Sequence, residues 1–132
     1  MKKESKSMTN EGVHLIAVER ARQVEAEGFD AGRDDAYRAG ELERGAAAYA
    51  LNAGGVRAEN MCLPNKEGVM VTVWPWKASW WKPGTSEHRR VLRTEKEAAA
   101  GRLEDEIRDL ARAGALCAAA IDKRLRALGK KA

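Results

Sequence analysis

The sequence predicts an all-α protein: a mainly helical bundle with a tryptophan- and proline-rich irregular loop and at most a short β-hairpin. Three observations predict it. Leu103, Ile107, Leu110, Gly114, Cys117, Ile121, Leu125 and Leu128 recur every three or four positions, the spacing of one helical face. Val13, Ile16, Ala17, Arg20 and Val24 repeat that spacing near the start, widened by Leu15 and Val18. Against these stands one β-like run, Val69-Met70-Val71-Thr72-Val73, too little for an independent sheet.

The elements follow in order. Residues 1–10 are polar and read as a disordered tail, and 11–128 as one helical domain. Residues 129–132 read as a basic C-terminal tail. Thr9 or Asn10 is placed to cap the first helix, with Glu11 near its positive end. That helix is expected to reach Glu27, with Gly28 as its terminator. Phe29 to Ala39 reads as a connection rich in Asp, Gly and Arg. A second helix, from about Asp35 or Gly40 to Asn52, presents Leu42, Ala46, Tyr49 and Ala50, and Asn52-Ala53-Gly54-Gly55 ends it. Gly54 to Pro83 is irregular, and all four tryptophans fall between Trp74 and Trp81. From Ser86, placed as a cap, the pattern is helical nearly to the end. An unbroken helix of some forty residues would be about 60 Å long. It is therefore expected either to break near Ala98 to Gly101 or to project and pair with another chain.

Composition bounds the function. The 132 residues suit one domain, and much of the 44% hydrophobic content is alanine, which buries little area. Helices packed through alanine must approach closely or borrow surface from a second copy, so a homo-oligomer through helices is expected. The net charge of +4 is concentrated at the chain ends and is too small for a dedicated DNA binder. Two isolated cysteines, Cys62 and Cys117, form no disulfide framework and no zinc spacing. The lysines at the start have no apolar run behind them, and nothing reaches membrane-span length. A cytoplasmic location follows as the expectation.

Two constellations could carry chemistry. Acidic residues are scattered over the helical segments: Glu19, Glu25 and Glu27 early, then Asp34, Asp35 and Glu41. Glu106 and Asp109 share one late face, three residues apart. Carboxylates converging from facing helices are a common way to hold Mg²⁺. The second constellation is Trp74-Pro75-Trp76 with Trp80-Trp81-Lys82-Pro83. Proline fixes φ and restricts its predecessor, so this segment is a rigid aromatic loop. It can close the end of an alanine-rich core. It can also offer a stacking wall for a base, with Lys77, Lys82, Arg89 or Arg90 reaching phosphates. There is no P-loop, no dinucleotide fingerprint and no nucleophile elbow.

The ordered set Glu19-Arg-Ala-Arg-Gln23, Glu27-Gly-Phe-Asp30, Asp34-Asp35, Gly40-Glu41-Leu42, Ala46 to Ala50, Trp74-Pro75-Trp76, Trp81-Lys82-Pro83 and Arg108 to Leu116 resembles a group of small bacteriophage- and prophage-encoded proteins. More distantly, the acidic helices look like the all-α MazG-type nucleotide pyrophosphohydrolases, including phage members directed at dATP and dGTP. That resemblance implies Mg²⁺ held by Glu19, Asp35, Glu41 and Asp109, with Glu19 and Glu41 as the catalytic acids. It also implies release of pyrophosphate from deoxynucleoside triphosphates. The chain departs from that family's Glu-x-x-Glu element, since Arg22 follows Glu19 and Arg44 follows Glu41. In this reading the base stacks on Trp76, Trp80 or Trp81 and the phosphates meet Arg22, Lys82 or Arg89. The alternative reading is a phage anti-defence protein that turns nothing over. It would sequester a nucleotide-derived signal or bind a host immune protein.

Overall fold

The computed structural model describes residues 2–27, 31–83 and 94–130, with the backbone alone for 2–9 and 27. It is mainly helical, with a single two-stranded sheet among the described residues. Helix α1 spans Lys2–Glu27, α2 Ala31–Ala36, α3 Glu41–Ala53 and α4 Glu95–Ala127; strands β1, Cys62–Pro64, and β2, Met70–Thr72, lie between α3 and α4. Helix α4 is the spine: α3 and α1 pack along it, and α2 touches it.

Helix α1 begins at Lys2, where the sequence predicts a tail up to residue 10. Lys2 to Met8 contains no glycine or proline, so nothing in it interrupts a helix. Gly28, the expected terminator, lies outside the described residues. The connection expected over Phe29 to Ala39 contains a helix of its own, α2. Charged pairs hold it in place. Arg20 of α1 reaches Asp34 at 2.8 Å and Asp122 of α4 at 3.8 Å, and Arg126 of α4 reaches Asp35 at 2.8 Å. The Lys123 ammonium donates to the Tyr37 carbonyl.

Helix α3 starts after Gly40, whose φ of 79° is readily available only to glycine. It ends where expected. The Gly54 and Gly55 amides donate to the Ala50 and Asn52 carbonyls, at 3.0 and 3.1 Å. The β-like run pairs back on Cys62–Pro64 in antiparallel register, Leu63 opposite Val71. Asn65 closes the turn, its Oδ1 accepting from the Glu67 and Val69 amides. Arg44 of α3 ties this hairpin to the bundle, donating through Nε to the Thr72 carbonyl at 2.8 Å and through Nη2 to the Thr72 hydroxyl at 3.2 Å.

Helix α4 is continuous over its 33 residues, with no break at Ala98 to Gly101. It begins at an N-cap in which the Thr94 hydroxyl accepts from the Glu97 amide at 3.2 Å. Ser86 lies outside the described residues. The apolar periodicity marks the helix, but its large residues face outward: Leu103, Ile107, Leu110 and Ile121 are all about half exposed or more. The inward face carries Gly101, Asp105, Asp109, Ala113, Leu116 and Ala120. Small side chains there let α3 come close, and the core is Leu42, Ala46 and Tyr49 of α3 against Ala113, Leu116 and Ala120. Val73 and Trp74 complete it, adding area that the alanines lack.

Candidate functional site

The Trp loop is ordered by its own backbone and by aromatic packing. The Trp74 indole N–H donates to the Lys77 carbonyl at 2.9 Å, and Ala78–Trp80 forms a 3-10 turn behind it. Trp74 is buried. It meets Tyr49 and Trp76 edge-on, with centroids at 5.6 and 5.2 Å. Trp81 stacks on Tyr49 at 5.0 Å. Trp76 meets Tyr37 at 5.4 Å and lies against Gly45, where a Cβ would be 2.4 Å from its ring. Trp80 differs: it is 42% exposed, and its ring faces Arg33 at 5.4 Å and Lys77 at 5.9 Å. Three tryptophans therefore build structure and the fourth is available at the surface.

Beside this cluster lies a cavity of about 240 Å³. Its aromatic lining is Tyr49, Trp74, Trp76 and Trp80. Its polar lining comes from four elements: Glu19, Arg22 and Gln23 of α1, Arg33 of α2, Lys82 of the loop and Arg112 of α4. Leu116 of α4 also lines it. Four cationic side chains thus face one carboxylate.

That carboxylate is engaged. Arg22 grips Glu19 with both arms, Nε to Oε1 at 2.8 Å and Nη2 to Oε2 at 2.6 Å. Gln23 Nε2 also donates to Glu19 Oε2, at 3.3 Å. The three residues share one turn of α1, since positions three and four apart lie on one helical face. Arg112 lies over the Tyr49 ring at 5.6 Å and donates to the Lys82 carbonyl, while Asp109 approaches it at 3.6 Å. Arg33 donates to the Tyr37 hydroxyl at 2.9 Å. The guanidinium groups are thereby held at fixed places around the cavity, with Lys82 on a bound segment of backbone.

Of the residues singled out from the sequence, Glu19, Arg22, Trp76, Trp80 and Lys82 meet at this cavity. Trp81 stands behind the wall, stacked on Tyr49. Arg89, with His88 and Arg90, lies outside the described residues. The expected metal ligands are not brought together. Asp35 is bound to Arg126, Glu41 accepts from the Ala39 amide at 2.7 Å, and Asp109 accepts from Asn52 at 2.7 Å. Only Glu19 faces the cavity, and Arg22 takes both its oxygens. Among the described residues no three His, Cys, Asp or Glu side chains are grouped to hold a metal ion. The donor set for Mg²⁺ therefore does not fit, because Asp35 and Asp109 close helix junctions, Glu41 a helix end, and Glu19 is held within its own helix by Arg22.

Sequence reasoning missed Gln23, Arg33 and Arg112. Two left a signal: Gln23 is four residues from Glu19, and Arg112 four from Leu116, so each shares a face with a residue at the cavity. Arg33 left none, since it sits on the helix read as a connection. No protein-family model matches the chain, and no curated protein or solved structure matches it. Among the described residues no helix is long and apolar enough to cross a membrane.

Proposed function

We propose that this protein is a binding protein for a small anionic molecule with a planar ring, a mononucleotide or nucleotide-derived signal, which it holds without turning it over. The observation that carries this is the wall of the cavity. Aromatic rings and four cations line it together with one engaged carboxylate, and the Arg33 and Arg112 guanidinium groups lie over the rings of Trp80 and Tyr49. Bases stack on aromatic side chains whatever their sequence identity, and the planar guanidinium of arginine matches phosphate geometry. A cavity near 240 Å³ lies just below the size of most small-molecule sites, roughly 300–1,000 Å³. That size suits a mononucleotide better than a dinucleotide.

This reading is preferred to Mg²⁺-dependent pyrophosphate release because the acids that would hold the ion serve other junctions. Glu19, the one carboxylate at the cavity, is occupied by Arg22. In a phage-encoded protein, retention of a nucleotide signal would act against host defence.

The test is calorimetry and tryptophan fluorescence with a panel of ribo- and deoxyribonucleotides, each run with Mg²⁺ and with EDTA. Expected are saturable binding that EDTA leaves unchanged, quenching of Trp80, and no pyrophosphate from any deoxynucleoside triphosphate. Trp80→Ala is expected to weaken binding by about 1–3 kcal/mol, the value of one stacked base. Magnesium-dependent pyrophosphate release, or no binding to any member of the panel, would overturn the proposal.

A further inference from the structure

Gln23 lines the cavity, and one end of its buried side chain lacks a partner. Gln23 is only 3% exposed, and its Oε1 is buried without a hydrogen-bond partner among the described residues. Its other end is engaged, since Nε2 donates to Glu19 Oε2 at 3.3 Å. Glu19 is in turn gripped by Arg22, so the amide nitrogen is directed to the carboxylate and the amide oxygen is left as an acceptor. A buried acceptor without a donor is costly, and native structures seldom keep one without a use.

Resting on the nucleotide-binding reading, we propose that Gln23 sets base specificity. Its carbonyl oxygen accepts from an exocyclic amino group of the base while the ring lies against the aromatic wall. The site thus takes amino-bearing bases in preference to bases that lack that group. Chemical complementarity supports this. The other polar groups at the cavity are mostly cationic and can only donate, so they suit the phosphate and not an amino group. Gln23 Oε1 is the acceptor that the Glu19–Arg22 pair leaves unspent. The terminal torsion of glutamine is broad, so the amide turns its oxygen to an incoming donor in exchange for the 3.3 Å bond from Nε2 to Glu19. Gln23 shares its helical face with Glu19, so the amino-reading group and the Arg22 pair are set by one turn of α1.

The experiment compares two ligand pairs that differ by the amino group alone. One is AMP with purine riboside 5′-monophosphate; the other is CMP with 2-pyrimidinone riboside 5′-monophosphate. In at least one pair the amino-bearing member is expected to bind the native protein roughly tenfold tighter or better, as a buried acceptor left unmatched should require. In Gln23→Met, which keeps the length of the side chain without the acceptor, that preference is expected to vanish while the amino-free member still binds. Equal affinity within both pairs, or a preference that survives in Gln23→Met, overturns the assignment and leaves the nucleotide reading standing. No binding of any of the four defeats the underlying reading instead. Thermal melting checks that Gln23→Met is folded, and Gln23→Leu, read by the same two ligand pairs, takes its place if it is not.

Discussion

Gly45 shows how narrowly single residues define this site. A Cβ there would lie 2.4 and 2.7 Å from two atoms of the Trp76 ring, which cannot give way without disturbing its contacts with Tyr37 and Trp74. Gly45→Ala is therefore expected to cost about 1–3 kcal/mol, as small overpacking of a filled core does. It should also alter the near-ultraviolet circular dichroism of the tryptophans and weaken ligand binding. Urea unfolding and a fluorescence titration check both, and unchanged stability would show that Trp76 is not held against α3. Single residues also differ in how far the chain announces their role. The tryptophans are legible as a wall because four of them crowd around two prolines. Arg33 is not, because a lone arginine in a polar stretch has no pattern until the backbone around it is placed.

At the scale of elements, the junction of α1 with α4 depends on another small residue. A Cβ on Gly114 would stand 2.6 Å from the Ile16 side chain, so α1 approaches α4 closely at this point. Gly114→Ala is expected to push α1 outward and displace Glu19, Arg22 and Gln23 from the cavity together. Affinity should fall even though position 114 does not line the cavity, while helicity by far-ultraviolet circular dichroism stays nearly unchanged. A variant that binds as the native protein does would show that α1 is not set by this contact. Periodicity identifies α4 as a helix but does not identify its buried face. Leu103, Ile107, Leu110 and Ile121 point outward, and Asp105 and Asp109 point inward with the alanines. Burial there follows from how closely α3 can approach, and small residues allow closer approach than leucines do.

For the whole molecule, charge binds the helices and makes stability depend on pH. The hydrogen bond from Arg126 holds the Asp35 carboxyl below its ordinary range. At Glu43, partial burial acts upward but is outweighed by hydrogen bonds from its own backbone amide and from Arg124. Each binds fewer protons folded than unfolded near pH 4, where such groups ordinarily titrate, so their contribution is present above that range and lost on acidification. Asp34 runs the other way. Burial raises it despite Arg20, so its contribution favours the folded state at acid pH and declines as pH rises through its folded value. The double variant Asp35→Asn, Glu43→Gln is expected to lose less Tm than the native protein between about pH 5 and pH 3. Asp34→Asn is expected to lose more, and melting curves across that range would expose an error in either sign. What the chain determined by itself is the class of fold, the end of α3 at its two glycines, the hairpin and the aromatic loop. Those depend on local chemistry: helical spacing, positive φ at glycine, the rigidity of proline. Only the tertiary structure decided that Asp35, Glu41 and Asp109 are spent on separate contacts while Arg22, Arg33, Lys82 and Arg112 surround one cavity. A carboxylate's role is set by the cation or amide nearest to it in space, and that neighbour can come from any distance along the chain.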